Sequence, residues 1–449
     1  MKEFNFEKLP IVEIANEIII DAVNKGASDI HFDPSKEALK IRFRIDGILS
    51  DYSIVPSKYK RNMISRIKMI AGMNIMETRL PQDGAIKSKI GDRLLDLRVS
   101  TLPTNNAEKI VIRILDYSMS LAGLDNLGFS KDAMEKINKL IRIPNGIILV
   151  TGATGTGKST TLYSILQKLN TEEVNIITVE DPVEMDIAGI NQVQTQTEIG
   201  LTFATILRSI LRQDPNIIMI GEIRDDETAR IAVRASITGH LVLSTLHTNN
   251  SLNTIERLTD MDVERYLLGS SLEGIISQRL ARKLCPNCMI KRQTTEYEKQ
   301  VFKTVIGKDI NEMYVANKEG CPRCNHGYRG RLAILEVLIM NEKIKDAITN
   351  NAPKHVLRDL VYTGEVVTLL QDGLNKVVEG ETSFEEILKI VDLENDMTAY
   401  KDDNLVANLK MAQKAHSIKE TPQQPTPQVT QQVQQINNQI QSNVETVEF

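Results

Sequence analysis

Residues 146–166 read GIILVTGATGTGKSTTLYSIL, and this stretch decides the fold of most of the chain. An apolar run typical of a strand leads into the pattern G-x-x-x-x-G-K-S, and a helical pattern follows. Glycines let the backbone wrap a phosphate with its N–H groups, and the start of the helix adds partial positive charge. Lys158 is expected to reach the β- and γ-phosphates of ATP, and Ser159 to ligate Mg²⁺. The predicted nucleotide-binding residues are consecutive: Gly152, Ala153, Thr154, Gly155, Thr156, Gly157, Lys158, Ser159 and Thr160.

Short β-rich runs alternate with helical segments from residue 129 to residue 284. The runs are GIILV, NIITV, NIIMI and HLVLSTL. Such alternation is typical of an α/β fold with a doubly wound parallel sheet, whose ligands bind beyond the carboxyl ends of the strands. The sequence therefore predicts a P-loop core over 129–284, with its site at that edge.

Two acidic clusters each follow one of these apolar runs. The first, in NIITVEDPVE, contains Glu180, Asp181 and Glu184; the second, in NIIMIGEIRDD, contains Glu222. Many ATPases have an aspartate immediately before the glutamate that corresponds to Glu222, whereas this chain has Gly221. A hydrolase needs one carboxylate to orient or deprotonate water and another group to order the waters of its metal, and the two clusters could share these tasks. The alternative is that these acids cap helices or face solvent.

Two of the chain's six histidines, His240 and His247, bracket the strand in TGHLVLSTLHTNNS. Lone histidines are usually structural. Because these two flank a strand of the predicted sheet, we expect at least one of them to sense the γ-phosphate or to form an interface contact.

The regions outside the core have different compositions. Residues 1–116 combine apolar residues at helical spacing with runs in which apolar and polar residues alternate, such as LKIRFRIDG. This combination predicts a small α+β domain. We predict a linker over 117–128, a C-terminal helical part over 331–398, and a disordered Gln- and Pro-rich tail over 399–449. The net charge of −5 provides no general attraction for nucleic acid, so no stable nucleic-acid binding is expected. The N-terminus does not resemble a secretory signal, and no apolar run is long enough to predict a transmembrane helix.

All four cysteines occur in two C-x-x-C pairs, CPNC and CPRC. Four thiolates suit tetrahedral Zn²⁺, and a site closed by four protein ligands is structural. The alternative is four free or redox-active thiols, and His326 beside the second pair is a less favoured ligand. We predict a zinc-binding insertion over 285–330, with these metal ligands: Cys285, Cys288, Cys321 and Cys324.

These motifs together resemble the ATPases of type II secretion and type IV pilus assembly. The resemblance rests on GATGTGKSTTLY, the aspartate box EDPVE, GEIRD and the histidine box TGHLVLSTLHTN. Four N-terminal motifs, GASDIHFDP, IRFRIDG, RLPQDGAI and RVSTLPT, also match, so the similarity extends over about residues 8–395. Family members carry glycine before the Walker B glutamate, which explains Gly221. The resemblance implies a RecA-like core preceded by a small PAS-like domain.

The family's function implies roles for individual residues. Glu222 would be the catalytic glutamate, Glu184 would assist at metal or water, and His240 and His247 match the family's two histidines. Family members work as hexamers in which N-terminal arginines reach the nucleotide beside them, and Arg98 and Arg113 match those positions. From the residues alone, Arg98 would instead pair with Asp96 and Arg113 would be solvated.

The resemblance also implies partners and a location. A homohexamer would act at the cytoplasmic face of the inner membrane, with a platform protein and a cytoplasmic docking component. The family's tetracysteine module occurs in assembly enzymes and is missing from retraction enzymes, so assembly is favoured. Related alternatives are retraction, type IV secretion or DNA uptake, and a non-catalytic nucleotide-dependent scaffold is the alternative of another class.

The chain departs from the family pattern in three places. Ala85 follows QDG where the family has arginine, and the tail has no recognised counterpart. The larger N-terminal domain that many members use for docking or for binding cyclic di-GMP is expected to be absent, because residue 1 falls near the start of the second domain.

Overall fold

The computed structural model describes residues 1–90, 93–116, 123–362 and 366–391. The chain divides into two compact units, Met1–Leu121 and Ala122–Phe449, each with its own hydrophobic core. Only residues 123–128 of the predicted linker are described, and the predicted tail lies outside the described residues. In those described ranges, no helix has both the length and the apolar character needed to cross a membrane.

The first unit is an antiparallel sheet covered by two helices, in agreement with the predicted α+β domain. The strand order is β3-β2-β1-β6-β5-β4. The strands are β1 Ala27–Pro34, β2 Ala38–Ile45, β3 Ile48–Pro56, β4 Gln82–Ile90, β5 Arg93–Pro103 and β6 Glu108–Asp116. The helices are Ile11–Asn24 and Ser57–Ile70.

Alternation along the strands separates the core of this unit from a polar face. Ile41 and Phe43 of β2 are buried beneath the helices, and Ile14 and Ile18 of the first helix pack into the same core. The polar partners on the strands project to the opposite face, as period-2 geometry requires. A buried ion pair lies at one end of this core, where Lys68 Nζ is 2.6 Å from Glu108 Oε1.

The second unit is built on a seven-stranded sheet of order β15-β12-β7-β11-β10-β8-β9. All neighbours are parallel except β15, which runs antiparallel to β12 at one edge. The strands are β7 Gly146–Thr151, β8 Ile176–Glu180, β9 Asn191–Gln194, β10 Ile217–Ile220, β11 Leu241–Leu246, β12 Leu272–Leu284 and β15 Tyr328–Ile339. The helices up to β12 are Lys131–Leu140, Lys158–Leu169, Phe203–Ile210, Asp226–Ile237, Ser251–Asp260 and Arg265–Ser271.

The four strands predicted from apolar runs form the centre of this sheet. Every residue of β7, β8, β10 and β11 is buried, which is the pattern of parallel strands covered on both faces. The α/β class and the P-loop core are therefore confirmed.

The region after the core differs from the prediction. Residues 331–339, predicted as helical, belong to β15, which pairs with β12 along most of its length. Their sequence RLAILEVLI is a short apolar run without clear period 2, and such a run does not distinguish a strand from a buried helix. The cysteine region holds β13 Ile290–Gln293, helix Glu296–Ile306 and β14 Glu312–Val315. The later helices are Glu342–Thr349, Lys354–Val361, Leu369–Val378 and Phe384–Ile390.

Candidate functional site

The loop between β7 and the helix Lys158–Leu169 has the backbone that a phosphate cradle needs. Gly152 and Gly157 have φ of 148° and 86°, a region that L side chains rarely adopt. A Cβ on Gly152 would lie 2.5 Å from the carbonyl oxygen of Gln278, so only glycine fits there. Lys158, Ser159 and Thr160 then form the first turn of the helix, where backbone N–H groups lack partners within the helix.

Lys158 lies against this loop. Its Nζ donates to the carbonyl oxygens of Gly152, at 2.9 Å, and Ala153, at 3.0 Å. Burial lowers the pKa of Lys158, and the negative charge of Glu222 opposes that shift. Lys158 follows β7 and Glu222 follows β10, so both lie beyond the carboxyl ends of parallel strands in one sheet.

Strand β12 supports the loop from behind, which the sequence analysis missed. Gln278 Nε2 donates to the carbonyl oxygen of Thr156 at 2.8 Å, and Gln278 Oε1 accepts from Thr161 Oγ1 at 2.8 Å. Ser277 Oγ lies 3.0 Å from Thr151 Oγ1. The sequence signal for this support is the polar pair Ser277-Gln278 directly after Ile275 and Ile276, in a strand that also carries charged residues.

Glu222 follows the carboxyl end of β10 and lies between Arg224 and His247. Arg224 Nη2 donates to its Oε1, and His247 Nε2, just beyond β11, is 3.3 Å from its Oε2. Burial raises the pKa of Glu222, but the hydrogen bond and charge of Arg224, together with His247, hold it below its ordinary value. Glu222 is therefore held as a carboxylate.

The acidic loop, residues 181–190, begins where β8 ends, at the same edge of the sheet. Glu180 is buried and accepts from Thr178 Oγ1 at 2.6 Å, so it belongs to the scaffold. Asp181 Oδ2 accepts from Arg224 Nη1 at 3.3 Å, which links the two acidic clusters. The backbone N–H of Glu184 donates to Tyr163 Oη at 3.1 Å. The loops after β7, β8, β10 and β11 thus meet at one edge, as expected for parallel strands.

The two histidines lie at opposite ends of β11. His247 contacts Glu222, whereas His240 precedes the strand and its Nδ1 is 2.8 Å from the carbonyl oxygen of Ala235. A six-residue strand is about 20 Å long. The structure therefore does not bring His240 to the phosphate loop, and a site role for this residue remains a prediction.

Arg98 and Arg113 belong to the first unit and lie directly opposite each other on β5 and β6. Arg98 Nε is 3.4 Å from Asp96 Oδ2, and Arg113 Nε donates to Asp29 Oδ1 at 3.2 Å. Asp96 and Asp29 thus supply the negative charge that offsets two like charges in a cross-strand pair. Ala85, where the family has arginine, is the partner of Arg98 on the other side of β5.

The four cysteines converge where β12 ends and β15 begins. Their Sγ atoms all lie within 4.8 Å of one another, with 3.8 Å between Cys285 and Cys321 and 3.6 Å between Cys288 and Cys324. Four thiolates around one Zn²⁺ at the usual bond length are separated by about 3.8 Å. The backbone N–H of Cys321 donates to Cys324 Sγ at 3.1 Å, which suits a thiolate ligand. The cluster therefore fits a tetrahedral metal ion.

Comparison with known proteins gives the same class of protein that the motifs resemble, the ATPases of type II secretion and type IV pilus assembly. The family profile "Type II/IV secretion system protein" matches residues 5–389. The type II secretion system ATPase E of Vibrio cholerae is 44% identical over 382 residues, which cover 85% of this chain and 75% of the relative. The type IV pilus assembly ATPase PilB of Myxococcus xanthus is 45% identical over 381 residues, or 84% of this chain and 67% of PilB.

Solved structures support the fold. The Legionella pneumophila ATPase DotB aligns with a TM-score of 0.63 and 22% identity, over 86% of this chain and 97% of DotB. The pilus retraction motor PilT, solved with bound ADP, aligns with a TM-score of 0.56 and 26% identity, over 88% of this chain and 98% of PilT.

These relatives confirm the resemblance and the predicted class of enzyme, an ATPase of secretion or pilus assembly. The profile match, residues 5–389, spans most of both units. The chain therefore belongs to the type II/IV secretion system protein family.

Proposed function

We propose that this chain hydrolyses ATP to power the assembly of a type IV pilus or a type II secretion pseudopilus. The observation that carries the proposal is the meeting of three loops at one sheet edge: the phosphate loop follows β7, Glu222 follows β10, and His247, just beyond the intervening β11, is 3.3 Å from Glu222 Oε2. The phosphate loop binds the phosphates of ATP, and Glu222 activates the water. The relatives from Vibrio cholerae and Myxococcus xanthus, named as secretion and pilus assembly ATPases, support the biological setting.

Binding and catalysis divide between two sets of residues. The backbone of the phosphate loop and Lys158 hold the β- and γ-phosphates, and Ser159 offers its hydroxyl to Mg²⁺. Bound Mg²⁺ would neutralise charge on the phosphate oxygens. Glu222 orients the attacking water, while Glu184 assists at the metal or its waters. His247, beside Glu222, senses the γ-phosphate.

The depressed pKa of Glu222 leads to a prediction about pH. Replacing Arg224 with Met is expected to move the acid limb of the kcat/KM profile for ATP upward by about one pH unit. Without Arg224, burial dominates and the Glu222 pKa rises, so the active carboxylate is lost at higher pH. Because the wild-type limb lies below the ordinary glutamate pKa, the profile is measured from about pH 4 to pH 8, and the limb of the variant is expected to enter this range.

Arg230→Met is the matched control, because Arg230 is exposed on the next helix, where its Nε donates to the backbone carbonyl oxygen of Asp226 at 3.3 Å. An acid limb that stays in place in Arg224→Met would show that Arg224 does not set the titrating pKa.

The proposed working form is a homohexamer in which Arg98 and Arg113 act on nucleotide bound by a neighbouring subunit. Their planar cations suit charge that spreads over the γ-phosphoryl oxygens. Arg98 and Arg113 are cross-strand partners, so their side chains leave the same face of the sheet, which supports a role in which one anion contacts both.

A mixing experiment tests this arrangement and the motor function together. Lys158→Ala disables the phosphate loop, and Arg113→Ala disables the arginine. If the arginine acts in trans, mixing the two inactive variants regenerates intact sites, and turnover recovers to about a quarter of wild type when subunits assort randomly. Each variant alone should stay near background.

Light scattering must confirm hexamers in the mixture. Hexamers that stay inactive after subunit exchange would contradict the assignment in trans, because sites formed within one subunit cannot be repaired by mixing. Full activity in Arg113→Ala alone would remove Arg113 from the site.

We assign a structural Zn²⁺ to the four cysteines. Coordination would join the end of β12 to the start of β15 and stabilise the intervening insertion. This module favours pilus assembly over pilus retraction. Retraction is the function named for the related PilT structure.

The proposed location is the cytoplasmic face of the inner membrane, beside a platform protein and a cytoplasmic docking component. The platform would convert movement between the two units into addition of pilin-like subunits. The outer face of the first unit is the proposed attachment surface, and the C-terminal residues 399–449 are a candidate tether.

A further inference from the structure

A buried hydrogen-bond network lies behind the acidic loop, and neither the sequence motifs nor the proposed catalytic roles account for it. Its centre is Glu180, the last residue of β8, which is 4% exposed. Glu180 Oε2 accepts from Tyr163 Oη, and Glu180 Oε1 accepts from Gln192 Nε2 at 3.0 Å. We call Tyr163, Glu180 and Gln192 the loop bracket.

Tyr163 and Gln192, two of the three side chains that donate to Glu180, also hold the backbone of the acidic loop. Tyr163 Oη accepts from the N–H of Glu184 at 3.1 Å. Gln192 Nε2 donates to the carbonyl oxygen of Met185 at 2.9 Å, and its Oε1 accepts from the N–H of Ile187 at 2.7 Å. Three backbone groups around Glu184 are thus held by side chains that share one buried carboxylate.

The bracket is attached to the phosphate loop through a single helix. Tyr163 lies four residues after Ser159 on the helix Lys158–Leu169, so both side chains are on the same face, one turn apart. Tyr163 is 3% exposed, and burial raises its pKa, so its hydroxyl stays protonated as a donor. The bracket therefore sets the distance between the Mg²⁺-binding turn and the acidic loop.

We propose that Tyr163 and Gln192 are positioning residues that hold Glu184 in register with the phosphate loop. Glu180 is the shared acceptor that orients both of them, and it has no direct part in the chemistry. This inference rests on the proposed role of Glu184 at the metal or water.

The first test measures the loop itself and does not require turnover. Tyr163→Phe removes one hydroxyl and leaves the ring in the core. Because the N–H of Glu184 then loses its hydrogen bond to the Tyr163 hydroxyl, hydrogen exchange in the peptide containing residues 183–187 is expected to accelerate about tenfold. Tyr328→Phe is the matched control: its hydroxyl, 2.7 Å from Ser383 Oγ, belongs to a remote buried contact in the same unit.

The second test asks whether Tyr163 acts through Glu184. Tyr163→Phe should lower kcat roughly tenfold and leave the KM for ATP within about twofold, since binding by the phosphate loop is preserved. Glu184→Gln should lower turnover in the wild-type background but add little in the Tyr163→Phe background. A Tyr163→Phe variant with normal kcat and unchanged hydrogen exchange in the acidic loop would overturn the proposal.

The outcomes separate this inference from the proposed function. If Glu184→Gln costs the same factor in both backgrounds, the bracket does not act through Glu184, although Glu184 keeps its role. If Glu184→Gln retains full turnover, Glu184 has no role at the metal or water, and the proposal that the loop bracket positions it for catalysis is wrong as well. If the wild type shows no turnover, exchange in the loop still decides whether Tyr163 holds it.

Discussion

Glu222→Gln is expected to reduce steady-state ATP turnover by at least about a hundredfold, because an amide cannot accept the proton of the attacking water. The change preserves the size of the side chain at the end of β10. It removes the negative charge that holds Arg224 and faces His247 and Lys158. Binding of nucleotide depends on the phosphate loop, so the affinity for a fluorescent ADP analogue should stay within a few-fold of wild type.

The measurement compares turnover of metal-replete hexamers of wild type and Glu222→Gln at saturating ATP. Glu172→Gln is the control, since Glu172 is an exposed glutamate in the turn after the phosphate-loop helix. Near-normal turnover in Glu222→Gln would remove this residue from the water-activating role. ATP-dependent assembly with no turnover in wild type would instead favour the nucleotide-dependent scaffold, or a motor that requires its membrane partner.

The parts of this site that the sequence predicted are those whose geometry is local. A strand, a glycine-rich turn and a helix start are consecutive in residues 146–166, so backbone rules alone predict the cradle. Glu222 was predicted because it follows a strand, and parallel strands direct their carboxyl ends to one edge. The same rule separates His247, beyond the end of β11, from His240, before its start.

The missing parts depend on pairing between distant residues. Gln278 reaches the phosphate loop because β12 lies beside β7, and the spacing of residues in the chain does not encode that neighbour relation. Tyr163 occupies a helix position that resembles any core aromatic until Glu180 and the acidic loop pack against it. β15 was misassigned because its apolar run was compatible with either a strand or a buried helix, and its pairing with β12 decides the outcome.

Cys285→Ser is expected to abolish tight zinc binding and to destabilise the insertion between β12 and β15. Zinc contributes about 10–16 kcal/mol of binding free energy in small structural sites, so loss of one of four thiolates should have a large effect on this insertion. Cys285 is fully buried, and its N–H donates to the carbonyl oxygen of Gly327 at 2.9 Å, so it anchors both sides of the cluster. Metal analysis should give about one zinc per wild-type chain, as a single four-thiolate site requires, and nearly none in the variant.

His326→Asn provides the control for this experiment. His326 is near the cluster and has a φ of 47°, a conformation that asparagine tolerates, while its Nδ1 lies 3.2 Å from the carbonyl oxygen of Lys318. Because four thiolates already complete a tetrahedron, this variant should keep its zinc. Full zinc retention by Cys285→Ser, with loss in His326→Asn, would reassign the ligands. Four rapidly titrating thiols in native wild-type protein without metal would contradict a zinc site, because coordinated thiolates react slowly until a chelator or denaturant releases the ion.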